Sequence, residues 1–239
     1  MSSAQRSRPV VAIDGPAGAG KSTVTRKVAE RLGYVIVDTG ALYRLVALAA
    51  ERASVSFDDA AASTAIAEGL VADQAVELRA TPSGAVQVLL RGQDVSTAIR
   101  AQSIGEGASK VSAHAGVRQA LLDLQRSQGR RGGVVLEGRD IGTVVFPDAE
   151  AKFFLTADPE VRARRRRDEL AARGTPPALE DVLREVNDRD RRDSTRPIAP
   201  LRQADDAELV DSSALSIEQV VEHIVARVRR VERRLSAGA

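Results

Sequence analysis

The stretch Gly15-Pro16-Ala17-Gly18-Ala19-Gly20-Lys21-Ser22 decides the fold of this chain, because it matches the pattern G-x-x-x-x-G-K-[ST] at every fixed position. Glycines let the backbone curl so that successive N–H groups point into one concavity, where a phosphate binds at a helix N-terminus. The chain's own residue frequencies give roughly three chance matches per thousand such sequences. We therefore predict that this loop, together with Thr23, binds a nucleoside triphosphate.

The flanking residues place this loop between a strand and a helix. Val10–Ile13 is a short apolar run typical of a buried parallel strand. From Lys21 to Leu32 the apolar residues follow helical spacing, and Gly33 is a helix stop signal. A second strand is predicted over Tyr34–Val37. Strand, helix and strand in about thirty residues form a βαβ unit, so the pattern predicts an α/β fold with a parallel sheet.

Other segments extend this α/β pattern. Two alternating segments, 75–80 and 85–91, are separated by the turn sequence Thr81-Pro82-Ser83-Gly84 and predict a small antiparallel insertion. Buried strands are predicted at 134–136 and 152–155, and the last strand is predicted at 208–210. Helices are predicted at 41–52, 58–68, 104–113, 117–128 and 217–235. Ser216 and Gln219 form a capping-box pattern at the start of the last helix.

Composition excludes several classes of function. The chain has 239 residues, enough for one full-sized domain with one or two inserted lobes. It has no Cys, which excludes disulfides, thiolate metal sites and a cysteine nucleophile. It has only two His, too few for a histidine-rich metal centre. Aromatic residues make up 3%, too few for the stacking platforms that bind single-stranded nucleic acid. The polar N-terminus and the absence of a spanning apolar run favour a cytoplasmic protein without a membrane partner.

Residues 158–202 differ from the rest of the chain. They contain twelve Arg with ten Asp or Glu and few large apolar residues. Such a segment has little to bury, so we predict a mobile, solvent-exposed lobe around two helices. The alternative is a salt-bridged helical surface without a functional role.

Two further motifs follow predicted strands, at the sheet edge where α/β proteins bind ligands. They are the segments from Asp38 to Arg44 and from Glu137 to Thr143. We expect Arg139 and Asp140 to emerge beside Arg44. Each motif alone is typical of a structural turn. An N-K-x-D guanine-reading string is absent, which favours a kinase that passes a phosphoryl group to a small acceptor.

With GPAGAGKST, the strings DTGALYR, GRDIGTVVFPDA and RDRRDSTRPIAPL occur in an order and spacing that resembles the bacterial cytidylate kinases, which phosphorylate CMP and dCMP with ATP and Mg²⁺. The resemblance covers nearly the whole chain. It implies one P-loop kinase domain over 1–239, with its core in three segments, a monophosphate-binding lobe with a small antiparallel sheet, and a short helical lid. The core comprises 9–43, 110–157 and 203–239, the lobe about 44–109, and the lid about 158–202.

The resemblance also implies roles for individual residues. The cytosine pocket would comprise Thr39, Arg118, Asp140 and Arg196, and the α-phosphate would bind Arg44 and Arg139 beside Tyr43. The sugar would bind Ser109, Arg189 and Asp193. Ser22 would contact Mg²⁺. Lys21 and Arg139 would act on the transferring phosphoryl with the lid residues Arg162, Arg165 and Arg166, although the run Arg164–Arg167 offers four interchangeable candidates. The better-known members have Ser in place of Thr39, so the added methyl narrows this pocket.

The expected partners are therefore the small molecules ATP and CMP or dCMP, with no nucleic acid and with the protein as a monomer. Three alternatives stay open at this point. One is a kinase for UMP, AMP or a metabolite, and another is a P-loop switch with slow hydrolysis. The third is an arginine-rich nucleic-acid-binding protein, against which the acidic residues interspersed in the lid argue.

Overall fold

A computed structural model describes residues 6–81, 86–172, 174 and 177–237. The chain divides into two compact units. The first unit comprises Met1–Tyr34 and Arg131–Ala239, and the second comprises Val35–Arg130. The predicted turn at Thr81–Gly84 lies outside the described residues from Pro82 onward.

The strands and helices are numbered in chain order. The strands are β1 (Val10–Asp14), β2 (Val35–Asp38), β3 (Val76–Ala80), β4 (Val86–Leu90), β5 (Gln93–Asp94), β6 (Val134–Gly138), β7 (Ala151–Thr156) and β8 (Glu208–Asp211). The α-helices are α1 (Lys21–Leu32), α2 (Thr39–Arg52), α3 (Ala60–Ala72), α4 (Gln102–Val111), α5 (Ala115–Gly129), α6 (Pro159–Ala171), α7 (Leu179–Thr195) and α8 (Ile217–Ala237). A 3₁₀ turn at Ala98–Arg100 and a π-helical turn at Ile141–Val145 complete the described elements.

The sheet of the first unit is parallel, as predicted. Strands β6, β1, β7 and β8 are neighbours in that order, and Asp14 at the end of β1 lies opposite Gly138 at the end of β6. All five residues of β1 are buried, which explains its continuous apolar pattern. Helices α1 and α8 pack against each other beside this sheet. The loops after β1 and β6 therefore leave the sheet side by side.

Two helix boundaries of this unit follow from local chemistry. Gly20 precedes α1 in the left-handed conformation with φ of 85°, which glycine adopts without strain. At α8 the predicted capping box is confirmed, since Gln219 N donates to Ser216 Oγ at 3.2 Å and Ser216 N donates to Gln219 Oε1 at 2.8 Å. No helix in the described part of the chain is long and apolar enough to cross a membrane.

The second unit combines four helices with the predicted antiparallel insertion. Strands β3, β4 and β5 form a three-stranded antiparallel sheet. Strand β5 escaped prediction because two exposed residues carry no recognisable alternation. The core of this unit lies between α2, α4 and α5, with fully buried side chains such as Leu42, Leu45, Ile104 and Leu121.

The lid segment contains the two predicted helices, α6 and α7, but buries more than its composition indicated. Ala163, Val182 and Val186 form a small apolar cluster between these helices. Arg162 and Asp193 are also buried. Burial of these charges is possible because each has an oppositely charged partner, a pairing that composition alone does not reveal.

Candidate active site

The phosphate loop leaves β1 at Gly15 and reaches α1 at Lys21. A Cβ at Gly15 would lie 1.9 Å from the carbonyl oxygen of Leu155, so only glycine fits there. The Lys21 ammonium donates to the carbonyl oxygen of Pro16 at 2.7 Å, so the side chain lies over the loop. Burial, and secondarily the positive charge of Arg139, hold the pKa of Lys21 well below its ordinary value. The Lys21 side chain is only 7% exposed.

Ser22, the predicted metal contact, donates a hydrogen bond from Oγ to Oε2 of Glu137 at 2.9 Å. Glu137 is the acidic residue near the end of β6, and our sequence reasoning missed its role. The sequence motif from Glu137 to Thr143 includes this residue, but only the pairing of β6 with β1 brings it to the phosphate loop. A hydroxyl and a carboxylate oxygen at this spacing form a donor set that suits Mg²⁺. Among the described residues, no group of three or more His, Cys, Asp or Glu side chains is arranged to hold a metal ion.

Asp14, the last residue of β1, contacts the turn after β6. Its Oδ1 and Oδ2 accept hydrogen bonds from the backbone N–H groups of Ile141 and Gly142, both at 2.8 Å. Burial raises the pKa of this carboxyl to about 6, although the two amides and Lys21 act in the opposite direction. Asp14 did not feature in the sequence prediction, because a terminal strand residue carries no motif of its own.

Arg139 and Asp193, two predicted CMP contacts, form an ion pair. Nε of Arg139 donates to Oδ2 of Asp193 at 2.8 Å, whereas Nε of Arg189 lies 4.0 Å from the same oxygen. Burial alone would raise the pKa of Asp193, but the positive charges of Arg139 and Arg189 lower it below its ordinary value. Asp193 is buried, so its contact with Arg189 is not an exposed salt bridge along the helix surface.

Asp140 and Arg196, both predicted for the cytosine pocket, also lie together. Nη2 of Arg196 donates to Oδ1 of Asp140 at 3.4 Å, and both side chains are buried. Nε of Arg196 donates to the carbonyl oxygen of Ala199 at 2.7 Å, which fixes the plane of the guanidinium. The first unit thus brings together five predicted residues at one end of its sheet: Arg139, Asp140, Arg189, Asp193 and Arg196.

The lid arginines are no longer interchangeable. Arg162 is buried, and its guanidinium donates to the carbonyl oxygens of Ala157 at 2.8 Å and Ala17 at 3.1 Å and to Asp190 at 2.5 Å. Arg165 donates twice to Ser212, at 3.0 and 2.8 Å.

The other arginines of the run 164–167 lie close to acidic residues of the same helix, α6. Arg166 donates to Glu169 at 3.1 Å, and Arg164 lies 3.4 Å from Glu160. Arg167 lies 4.0 Å from its neighbour Asp168. Arg166 is therefore half-buried in a local i,i+3 pair, while Arg162 touches the phosphate loop itself.

In the second unit, three predicted residues lie on the first turns of α2. Asp38 caps this helix, and its Oδ1 accepts a hydrogen bond from Ala41 N at 3.2 Å. The cap fixes where the helix begins, and so fixes the backbone positions of Thr39, Tyr43 and Arg44. Nη1 of Arg44 donates to the carbonyl oxygen of Ile99 at 3.0 Å.

The other predicted residues of this unit lie on α4 and α5. The guanidinium of Arg118 lies 5.4 Å from the ring centre of Tyr43 and donates to the carbonyl oxygen of Ser112 at 3.2 Å. The Tyr43 hydroxyl accepts from Gln125 at 3.3 Å. Within the described part of the chain, the buried Ser109 Oγ has no hydrogen-bond partner.

A model of the cytidylate kinase family matches residues 11–230. The chain belongs to the cytidylate kinase family. A cytidylate kinase of Citrifermentans bemidjiense is 51% identical over 239 residues, which cover 100% of this chain and 99% of the relative. One of Geobacter sulfurreducens is 50% identical, covering 98% of each chain. Among solved structures, a gluconokinase from Sinorhizobium meliloti 1021 aligns over 98% of this chain and 99% of its own, with 16% identity and a TM-score of 0.48.

The match to the cytidylate kinase family includes every site residue that the sequence predicted, from Gly15 to Arg196. It also includes Asp14 and Glu137, which the sequence reasoning passed over. Membership of the cytidylate kinase family confirms the resemblance, while the role of each side chain stays a prediction.

Proposed function

We propose that this protein transfers the γ-phosphoryl group of ATP to CMP or dCMP, giving CDP or dCDP. One observation carries the proposal beyond family membership. The phosphate loop and the turn bearing Arg139 and Asp140 follow neighbouring parallel strands, and Asp14 at the end of one strand lies opposite Gly138 at the end of the other. Donor-binding and acceptor-binding groups thus leave the same edge of one sheet.

On the donor side, the loop amides and Lys21 would hold the β- and γ-phosphates. Ser22 and Glu137 would hold Mg²⁺, with the carboxylate acting directly or through water. When bound, this ion neutralises charge on the phosphate oxygens. Burial lowers the pKa of Lys21. The negative charge of a bound triphosphate would favour the charged form of this lysine.

On the acceptor side, Arg139 and Arg44 would bind the α-phosphate of CMP. Asp140 offers only acceptor oxygens when ionised, which suits the 4-amino group of cytosine. The guanidinium groups of Arg196 and Arg118 would complete recognition of the base, with Thr39.

The sugar would bind Asp193, Arg189 and Ser109. The buried hydroxyl of Ser109 supports this assignment, since a buried polar atom without a partner among the described residues gains most from a ligand hydrogen bond.

The chemistry requires positioning more than proton transfer. A phosphate monoester oxygen is already a competent nucleophile near neutral pH, so no general base is needed. Arg139 would align this oxygen, while Arg165 and Arg166 would reach the transferring phosphoryl once their present contacts are exchanged. Water must be excluded, because it competes as acceptor, and the lid helices α6 and α7 would serve that purpose.

An acceptor panel tests the proposal. ADP release from ATP is measured with CMP, dCMP, UMP and AMP in parallel, and the product is identified by chromatography. We expect rapid ADP release with CMP and dCMP, formation of CDP or dCDP, and little release without acceptor. Equal rates with UMP or AMP would contradict the cytosine assignment, and acceptor-independent hydrolysis would contradict the kinase assignment.

A further inference from the structure

The contact between Asp14 and the turn after β6 has no part in the proposed chemistry, yet it is built from buried groups. Asp14 is 4% exposed, and its two oxygens bind the N–H groups of Ile141 and Gly142 at 2.8 Å each. These two residues follow Arg139 and Asp140 directly. The carboxylate therefore fastens the segment that carries two of the predicted acceptor contacts.

The turn needs such a partner. Ile141–Val145 forms a π-helical turn, and the first N–H groups of any helical turn lack partners within it. Asp140 occupies the capping position, but its own side chain makes no capping hydrogen bond. Asp14 supplies the missing acceptors from a different strand.

This arrangement carries a cost in the folded protein. A buried carboxylate is unfavourable unless it is compensated, and a neighbouring carboxylate, Asp140, adds repulsion. Burial of this charge therefore opposes folding, even though the two backbone N–H groups compensate part of the cost. Residues that disfavour the fold locally are concentrated at functional sites.

We propose that Asp14 is a positioning residue that sets the geometry of Arg139 and Asp140 toward the acceptor nucleotide. This inference rests on the proposed function. An ionised carboxylate accepts from both N–H groups at once, whereas an amide has one acceptor oxygen and would turn its NH₂ group toward the second donor. The turn then loses one of its two fixed points, and both Arg139 and Asp140 shift.

The test compares Asp14→Asn with Glu150→Gln. Glu150 is a matched control, because its Oε2 accepts a hydrogen bond from Val10 N at 2.8 Å. Val10 is the first residue of β1, whereas Asp14 is the last. For Asp14→Asn we expect kcat/KM for CMP to fall roughly 10- to 100-fold, the scale of a misplacement of about 1 Å. The ratio of kcat/KM for CMP to kcat/KM for UMP should fall. The Kd of ATP, measured by calorimetry, should change much less, since Asp14 influences the phosphate loop through its charge on Lys21 and its hydrogen bonds go to the turn. Glu150→Gln should match the wild type in all three measurements.

Each outcome is decisive. Asp14 has no positioning role if Asp14→Asn keeps the wild-type ratio of kcat/KM for CMP to kcat/KM for UMP. The same conclusion follows if the variant weakens the interaction with ATP as much as the interaction with CMP. If this variant does not fold, Asp14→Ser replaces it, since the smaller side chain adds no steric demand; should neither fold, Asp14 is a structural residue and the proposal is wrong. A wild type that does not phosphorylate CMP would overturn the proposed function instead, before any variant is compared.

Discussion

Arg139 donates a hydrogen bond to Asp193 at 2.8 Å, which joins the turn after β6 to lid helix α7. Both residues are proposed to contact CMP, one at the α-phosphate and the other at the sugar. Binding of CMP would therefore exchange an ion pair within the protein for contacts with the ligand. Because Asp193 is buried and bonded to Arg139, its carboxylate has a fixed position in the site.

Replacement of Asp193 by Ala should weaken the binding of CMP much more than the binding of ATP. The loss of a hydrogen bond to a charged group costs about 1.5–3 kcal/mol, and Arg139 also loses its partner. The Kd of each nucleotide, measured by calorimetry, checks this expectation. Asp188→Ala on the same helix is the control, since Asp188 pairs with Arg191 at an exposed position. Unchanged CMP affinity in Asp193→Ala would show that the ion pair between Asp193 and Arg139 is only structural.

Replacement of Lys21 by Ala should lower kcat by at least about 10²-fold, because the ammonium stabilises charge that develops on the transferring phosphoryl. The folded state should survive, since burial already disfavours the charged lysine. Turnover with CMP and a thermal melt measure the two effects. Lys27→Ala removes an exposed lysine of α1 paired with Glu218 and should leave turnover unchanged. Normal turnover in Lys21→Ala would argue against the phosphate-loop assignment.

Replacement of Asp140 by Asn should lower kcat/KM for CMP and narrow the gap to UMP. One mismatched hydrogen bond at C4 of the base is worth on the order of 1–3 kcal/mol. The amide oxygen of Asn can still accept from Arg196, which leaves its NH₂ group to face the uracil carbonyl. Values of kcat/KM for both acceptors in both proteins check this prediction. Equal values of kcat/KM for UMP and CMP in the wild type would refute the assignment of a cytosine pocket.

Replacement of Gly105 by Ala should raise KM for CMP through Arg44. A Cβ at Gly105 would lie 3.3 Å from Nη1 of Arg44, so the guanidinium must move by a few tenths of an ångström. Gly69→Ala, in α3, is the control, because a Cβ there meets nothing within 4 Å. Both variants gain helix propensity of about 0.5–1 kcal/mol, so only the KM for CMP should separate them. Identical KM values would show that Arg44 tolerates the methyl group.

The pH dependence of stability should report the buried Asp14. Its pKa is about 6 in the folded protein against 3.8 ordinarily, so the folded state retains this proton to higher pH. Stability from this group is full below about pH 4 and is lost as pH rises through 6, by about 3 kcal/mol. Urea unfolding at pH 4.5 and 7 should show a wild-type loss that Asp14→Asn lacks. Equal pH slopes in both proteins would contradict the raised pKa.

The sequence predicted the strand, loop and helix around Lys21 correctly because that signal is local. Glycine conformation, helix spacing and the capping box of Ser216 depend on neighbours within a few residues. The π-helical turn at Ile141–Val145 was not predicted, since its stabilising acceptor, Asp14, lies more than a hundred residues away along the chain. Glu137 was missed for the same reason, because its partner is Ser22.

The sequence by itself determined the nucleotide-binding class, the parallel α/β architecture and the family, because these depend on short motifs and on periodic apolar residues. Only the tertiary structure decided which charges meet. Arg139 pairs with Asp193, Arg196 with Asp140, and Arg162 with Asp190. Composition showed a segment with many arginines and acids but could not pair them, since an ion pair requires two side chains to converge from separate elements. That convergence is a property of packing, and packing is decided by the whole fold.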